Sequence, residues 1–253
     1  MQRWLLGTLT ALAVAGPAVA ADLPARPPVK APPAVAPIGY NWTGCYVQGG
    51  GGYGLFNQDS FTVDDDTGAA TSQRVTNGGR GWFGTVGGGC DVQFGSWVIG
   101  AFGDYDFADL KGDVVIPNSN AVGRETQDSA WAVGGRLGYT LTPTILTYVN
   151  AGYTQARFNA INFVNQNNGA SLDTQIGAHT YSGWFVGSGF EHNLGWLPGL
   201  FWKTEYRFAQ YNRDTLPILE GGTPSGTSLA SDKTIQTIRS ELVWRFNWSG
   251  GRY

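Results

Sequence analysis

The body of the chain alternates apolar and polar residues with a period of two, which is the pattern of β-strands. The stretch LFWKTEYRFAQYN at residues 200–212 shows it clearly, because aromatic side chains share one face and Lys203, Glu205 and Arg207 share the other. The same alternation predicts eight strands, at residues 42–57, 79–94, 97–111, 126–141, 145–162, 179–193, 200–212 and 233–248.

The connections between these segments alternate in length. Three are short: Gly95-Ser96, the TPT at 142–144 and the GWLPG at 195–199. The other four are polar and, by this delimitation, run about fifteen to twenty residues. Short turns at one end, long loops at the other and an even strand number predict an all-β fold: an eight-stranded antiparallel transmembrane up-and-down β-barrel.

Two kinds of barrel can use these faces. In a soluble, lipocalin-like barrel the apolar face would line a ligand cavity, whereas in a membrane barrel it meets lipid. Gly and Ala on the polar face and aromatics near the strand ends favour the membrane barrel. The aromatics predicted to lie at the lipid interface are Trp97, Trp131, Trp202, Phe246 and Trp248.

The polar face then lines the lumen, where isolated charges would be costly, so the charged side chains are expected to pair. The predicted lumen charge network is Asp104, Asp106, Arg136, Lys203, Glu205, Arg207, Arg239, Glu241 and Arg245. Matching Trp202 with Phe246 would place Arg207 opposite Glu241. The network is interpreted either as a packed plug or as a gate for small ions.

The two cysteines, Cys45 and Cys90, are candidates for a disulfide. Pairing them aligns Val47 with Gly88 and keeps the faces matched along the hairpin of the first two segments. A cross-strand bond on the side of the short turns would follow, and two free thiols are the alternative. An oxidising compartment suits such a bond.

The ends of the chain divide it further. Residues 1–20 read as a signal peptide, because an apolar stretch follows Arg3 and Ala18-Val19-Ala20 forms a cleavage site. The Pro-rich residues 21–39 read as a periplasmic tether. The barrel is predicted for 40–248 and a short C-terminal tail for 249–253.

Composition and motifs exclude several functions. The net charge of -3 and the lack of a basic cluster argue against nucleic-acid binding. A lipid A-modifying enzyme would need a Ser activated by a nearby His. His179 and Ser182 are predicted to point to opposite faces of one strand, and His192 lies at the far end of that strand. The acidic run at 64–66 is interpreted as a solvated loop, with calcium binding as the alternative. No catalytic residue, metal site or cofactor is predicted.

The stretches ADLPARPP, YNWTGCYVQGGGGYG and GGGCDVQFGSWVIGAFGDYDFADLKG resemble the small outer-membrane immunogenic proteins of alphaproteobacteria. The resemblance covers nearly the whole mature chain. It implies an OmpA-like, porin-superfamily barrel in the outer membrane of a Gram-negative bacterium, with a structural, surface-exposed envelope role as a surface antigen. Implied partners are outer-membrane lipid, lipopolysaccharide and the insertion machinery that reads the final strand. A narrow porin-like channel for ions or small solutes is the alternative, followed by a barrel enzyme; the oligomeric state stays open.

Overall fold

The computed structural model describes residues 40–246. The predicted signal peptide, the tether, the C-terminal tail and Trp248 lie outside the described residues. Within 40–246 no helix is long and apolar enough to cross a membrane.

Antiparallel strands dominate the described part of the chain. They are β1 (Gly44–Asp64), β2 (Val75–Phe94), β3 (Trp97–Val115), β4 (Ala121–Thr142), β5 (Ile145–Phe158), β6 (Ile161–Asn165), β7 (Ser171–Ile176), β8 (His179–Asn193), β9 (Leu200–Glu220) and β10 (Thr223–Phe246). Eight of them close into a ring in the order β1-β2-β3-β4-β5-β8-β9-β10, because β10 pairs back to β1. The predicted eight-stranded antiparallel barrel is therefore confirmed.

The strands of the ring are strongly staggered. A path through directly paired residues leaves β2 at Trp82, crosses to Tyr53 and continues around the ring to Ile99. It returns to β2 at Val92, ten residues from its start (92 − 82). Such a stagger requires tilted strands, and an eight-stranded barrel has an interior just wide enough for side chains to fill.

The four polar connections are mostly strand, not loop, which corrects the predicted loop lengths. β9 and β10 continue far beyond the predicted segments and meet in a two-residue turn at Gly221 and Gly222, whose φ angles are 58° and 78°. Two positive φ angles suit a tight hairpin turn, and glycine adopts them without steric cost. The extensions have no lipid-facing side, so the row of outward apolar residues that marks the predicted segments does not continue into them.

The extended hairpins define an upper end of the barrel, and the short turns define a lower end. β6 and β7 form an additional small hairpin at the upper end, and they pair with β4 and β9 respectively. A cluster of buried apolar side chains packs these extensions together: Val114, Ile116, Ala121, Ile161, Phe163, Ile176, Ile218 and Leu229. The upper end is therefore a packed, ordered structure.

Aromatic side chains on the outer face form two girdles. The upper girdle consists of Tyr53, Trp82, Tyr105, Phe107, Trp131, Tyr153, Trp184 and Phe208. The lower girdle consists of Phe94, Trp97, Tyr139, Phe190, Trp202, Trp244 and Phe246. On β4, Trp131 and Tyr139 belong to different girdles and are separated by about 26 Å of strand at roughly 3.3 Å per residue. At a tilt of about 40° this length corresponds to a height of roughly 20 Å, which is comparable with the apolar band of an outer-membrane barrel.

Cys45 and Cys90 are joined by a disulfide, directly opposite each other in the β1–β2 ladder. In the same register Val47 lies opposite Gly88 and Tyr53 opposite Trp82. The bond lies on the outer face near the lower end, whereas the connection between β1 and β2 is at the upper end. The disulfide therefore joins the two strands at the end of the hairpin opposite to that connection.

Candidate functional site

The lumen is the candidate functional site, since it holds nearly all the buried charge of the described residues. All nine side chains of the predicted network are buried there. Four further charged residues lie with them: Asp91, Glu125, Glu191 and Lys233. The described lumen thus contains six cations and seven carboxylates, a near balance that allows pairing throughout.

The lowest cluster joins two guanidinium groups to two carboxylates. Arg136 Nε lies 2.8 Å from Asp91 Oδ1, and its Nη1 lies 2.5 Å from Glu191 Oε1. Arg245 binds the same pair, with Nη1 2.7 Å from Asp91 Oδ2 and Nη2 2.5 Å from Glu191 Oε2. The Tyr46 ring contacts both guanidinium groups. Each charge is therefore held by two opposite charges, which satisfies planar donors and acceptors together.

The central cluster begins with Lys203. Its Nζ lies 2.8 Å from Glu241 Oε2 and 3.4 Å from Glu205 Oε2, and it donates to Gln48 Oε1. Glu205 Oε2 also accepts hydrogen bonds from the Tyr148 hydroxyl and from Asn150 Nδ2, both at 2.9 Å. One ammonium group therefore bridges two carboxylates that belong to different strands.

Arg207 continues the central cluster toward the upper end. It donates two hydrogen bonds to the Asp104 carboxylate, at 2.9 and 2.8 Å, and one to Glu205 Oε1 at 3.0 Å. Its guanidinium carbon lies 4.4 Å from the centroid of the Phe185 ring. Arg239 lies beside it and binds Asp106 at 3.1 Å. The center of the lumen is filled by these side chains.

The register between β9 and β10 differs from the predicted one. Glu241 lies opposite Lys203, and Arg207 lies opposite Thr237, so the predicted Arg207–Glu241 pairing is wrong. The prediction matched the lower ends of the two strands. Because neighbouring strands of a tilted barrel are staggered, β10 continues below the start of β9 and Trp202 lies opposite Leu242.

The upper cluster contains one cation. Lys233 Nζ lies 2.6 Å from Glu125 Oε1 and also binds the Gln58 side chain. The rings of Phe158 and Tyr181 lie 4.4 and 4.8 Å from the same nitrogen. The ammonium group is thus enclosed by one carboxylate, one amide and two aromatic faces, a favourable cage for a cation.

Apolar side chains lie at both ends of the lumen. At the lower end Trp42 and Phe201 are fully buried, with ring centroids 4.9 Å apart, and Arg245 stacks on Trp42. At the upper end the apolar cluster of the extended hairpins borders a cavity of about 450 Å³ that Ile116, Ala121 and Ile218 help to line. Between them, a cavity of about 30 Å³ borders Arg207 and Arg239, which is room for one or two water molecules.

Inward-facing glycines make room for this packing. A Cβ atom at Gly89 would lie 2.6 Å from the Tyr46 hydroxyl oxygen, and one at Gly189 would lie 2.6 Å from the Tyr148 hydroxyl oxygen. Both separations are shorter than a van der Waals contact. These glycines therefore let tyrosines cross the narrow lumen and reach the charged groups.

Strand parity alone could have identified two of the missed lumen residues. Asp91 alternates with the outward Val92, and Glu191 alternates with the outward Phe190, so both must point inward. Glu125 and Lys233 were harder to identify, because they lie at the margins of the predicted segments where the outer face is polar and gives no contrast.

The candidate catalytic residues do not assemble into a triad. His179 Nε2 lies 2.9 Å from Asp214 Oδ2 at the upper rim. Ser182 lies on the outer face of β8, opposite Gln155. Glu191 is occupied by two arginines at the other end of the lumen, and His192 lies beside it on the opposite face. Histidine, serine and carboxylate are therefore separated by strand face and by height.

The acidic run follows the end of β1 at the upper end. Asp64 Oδ1 accepts hydrogen bonds from the Thr67 hydroxyl at 2.7 Å and from the Thr67 amide at 2.8 Å, and these bonds lower the pKa of the Asp64 carboxyl. Asp65 Oδ1 accepts a hydrogen bond from the Ser228 hydroxyl. In the part of the chain that the structure describes, no three His, Cys, Asp or Glu side chains are grouped as a metal site. The carboxylates here shape a turn.

Comparison with known proteins gives a consistent result. The model of the family described as outer membrane protein beta-barrel domain matches residues 7–250. The 25 kDa outer-membrane immunogenic protein of Brucella canis is 26% identical over 241 residues, which cover 90% of this chain and 91% of that protein.

Two solved structures are similar in fold. The outer membrane protein OprG from Pseudomonas aeruginosa is 10% identical, with a TM-score of 0.45, over 82% of this chain and 99% of that one. The outer membrane protease OmpT from Escherichia coli is 10% identical, with a TM-score of 0.41, over 80% of this chain and 97% of that one.

Proposed function

This chain belongs to the outer membrane protein β-barrel family, and we propose that it serves as a closed structural barrel that supports the envelope and presents its upper hairpins at the cell surface. It is a protein of the bacterial outer membrane. Long connections face the outside of the cell in such barrels, so the upper end is extracellular and the lower end periplasmic.

The observation that carries the proposal is the continuous packing of the lumen. Charged clusters follow one another from Arg245 to Lys233, and the cavity beside Arg207 and Arg239 has a volume of only about 30 Å³. A hydrated ion would have to separate several buried ion pairs, each costly to break. The side chains therefore act as a plug.

Surface presentation is supported by the length and packing of the extracellular hairpins. β10 has 24 residues, whereas a tilted strand needs only about 9–11 residues to cross the bilayer. The remaining residues extend above the upper girdle and pack on the apolar cluster that contains Phe163 and Ile218. A rigid surface of this kind offers a constant shape to whatever contacts the cell.

A narrow channel for ions or small solutes is the second candidate. The observation that favours it is the presence of buried polar atoms without a hydrogen-bond partner beside the 30 Å³ cavity, namely Gln127 Oε1 and Arg239 Nε. Water bound there would provide one hydrated position for an ion in the upper half of the lumen. A channel would still require the Arg207 and Glu205 side chains to separate.

Conductance across planar bilayers distinguishes the plug from the channel. For a plug, the wild-type barrel gives no reproducible single-channel steps. The double variant Arg207→Ala/Arg239→Ala, which removes two large side chains from the center, does give steps and shows that insertion succeeded. Reproducible wild-type steps that Glu241→Ala or Arg207→Ala abolish would overturn the plug in favour of a gated channel.

We propose no enzymatic role, since the separation of His179, Ser182 and Glu191 provides no nucleophile with a base in reach. Mass spectrometry of lipid A from a deletion strain tests this. An unchanged lipid A agrees with the proposal, and a lost modification that the wild-type gene restores would contradict it.

The proposed partners are outer-membrane lipid, lipopolysaccharide and, during assembly, the insertion machinery. The outward aromatics Trp244 and Phe246 at the end of β10 support the last of these, since they present an apolar edge before β10 pairs with β1. Crosslinking during assembly, from a photoreactive residue at position 244, tests the contact.

A further inference from the structure

The exposed cations of the described residues all lie on the upper side of the upper girdle. They are Arg74, Arg80, Lys111, Arg124, Arg157 and Arg213. Five of them lie beyond the upper girdle on their strands, Arg74 lies in the connection between β1 and β2, and the other Lys and Arg residues of 40–246 are buried in the lumen. The headgroups of the outer leaflet begin just above the upper girdle.

Two of these cations face each other directly. Arg80 on β2 lies opposite Lys111 on β3, and both side chains are exposed on the outer face. Like charges directly opposite in an antiparallel ladder repel each other. Lys111 Nζ binds Asp109 at 2.8 Å, whereas Arg80 forms no ion pair with any residue of the described chain. An anion between the two side chains would remove this repulsion.

The surroundings of the pair indicate the kind of anion. Trp82 lies two residues after Arg80 in β2, on the same outer face and closer to the membrane. Its surface is 72% exposed. Phe107 lies near it on β3 and is 62% exposed. A molecule bound at Arg80 and Lys111 would therefore place one part at headgroup height and the other against an aromatic, lipid-facing surface.

We propose that Arg80 and Lys111 bind a phosphate of a lipopolysaccharide molecule whose acyl chains lie against Trp82 and Phe107. The planar guanidinium of Arg80 can donate two parallel hydrogen bonds to one phosphate group, and the Lys111 ammonium supplies a second charge. This site deepens the lipid partnership proposed above, and it is independent of whether the lumen conducts.

A second group of cations above the upper girdle provides a matched control. The guanidinium carbons of Arg74 and Arg213 both lie over the Phe61 ring, at 5.3 and 5.4 Å from its centroid. Both pair with Asp232, at 3.5 and 2.9 Å, and Arg74 also pairs with Asp59 at 3.7 Å. Their charge is balanced within the protein, so no ligand is required there. Near Arg80, Lys111 pairs with Asp109 and Arg124 pairs with Asp113. Neither pair provides a carboxylate that balances the charge of Arg80.

The test is a titration of the purified full barrel with bisphosphorylated lipid A in detergent micelles, with the bound fraction read by native mass spectrometry. Arg80→Gln/Lys111→Gln is expected to weaken binding about tenfold or more. The control Arg74→Gln/Arg213→Gln, with the same change of charge, should change it by less than about twofold. Dephosphorylated lipid A should bind the wild-type barrel as weakly as lipid A binds the Arg80→Gln/Lys111→Gln variant.

Three outcomes would overturn the site. Equal loss in both double variants would show a general effect of positive charge, and no loss in Arg80→Gln/Lys111→Gln would show that the pair does not bind lipid A. Competition by inorganic phosphate at concentrations equal to the lipid would assign the site to free phosphate. Heat-dependent gel migration verifies that each variant is folded. The single variant Arg80→Gln, which removes only an exposed charge, is titrated with lipid A in the same way.

Discussion

Lys203 on β9 lies directly opposite Glu241 on β10, and Lys203 Nζ is 2.8 Å from Glu241 Oε2. Both side chains are buried in the lumen, within reach of Glu205. The pair links two neighbouring strands through their side chains as well as through the backbone ladder. Because water is excluded, each charge depends on the other for its stability.

Removal of one member of this pair should destabilise the barrel strongly. Lys203→Met leaves Glu241 and Glu205 without their shared cation, and a loss of about 3–5 kcal/mol in the free energy of unfolding is expected. Urea unfolding in lipid vesicles, followed by tryptophan fluorescence, measures it. Arg124→Met, at an exposed cation that is also ion-paired, is the control and should cost no more than about 1 kcal/mol.

The double variant Lys203→Met/Glu241→Leu separates pairing from packing. It removes the isolated carboxylate, so it should recover part of the stability lost in Lys203→Met, with a coupling energy of about 1–3 kcal/mol. Strictly additive losses would contradict the pairing.

The inward or outward direction of each side chain could be predicted from the sequence, and the contacts between strands could only partly be predicted. Parity along β9 is sufficient to assign Lys203 and Glu205 to the lumen, because a single strand carries that information. The partner of Lys203 depends on the stagger of the whole ring, which no single strand encodes. A shift of four residues separates the predicted neighbour of Trp202 from the observed one.

The β1–β2 hairpin shows the opposite case. The two cysteines provide a covalent marker that determines the register, so Val47 could be aligned with Gly88 from the sequence. The extensions at the upper end carry no such marker and no lipid-facing side. Strand residues such as those at 214–220 therefore read as loop, although they pair with β10 and β7.

The disulfide between Cys45 and Cys90 should contribute to stability without determining the fold. The bond closes a loop with a sequence separation of 45 residues, and its removal in Cys45→Ser/Cys90→Ser is expected to cost about 2–4 kcal/mol. The ladder between β1 and β2 remains, so heat-dependent gel migration should persist. Urea midpoints measure the loss. Alkylation of both cysteines in the unreduced, unfolded protein would show free thiols instead.

The aromatic closure of the lower end should depend on Trp42. Its side chain is fully buried between Phe201 and the Arg245 guanidinium. Trp42→Ala is expected to cost about 3–5 kcal/mol, because it leaves a cavity and exposes a stacked charge. Trp196→Ala is the matched control, since Trp196 is 73% exposed in the turn before β9 and should change stability by less than about 0.5 kcal/mol. Equal effects of the two substitutions on urea unfolding would contradict the closure.

A charge placed on the outer face tests the orientation of the entire barrel. Leu137 lies on β4 between Trp131 and Tyr139, 44% exposed and within the apolar band. In lipid, Leu137→Arg should cost roughly 1–3 kcal/mol, because the position lies inside the apolar band between the midplane and the lower girdle. Leu141→Arg, below Tyr139 on the same face, should cost only about 0–1 kcal/mol. Urea unfolding in vesicles gives both values. If the two variants were equally stable, the apolar face of β4 would not be in contact with lipid, and the direction assigned to every side chain on that strand would have to be reversed.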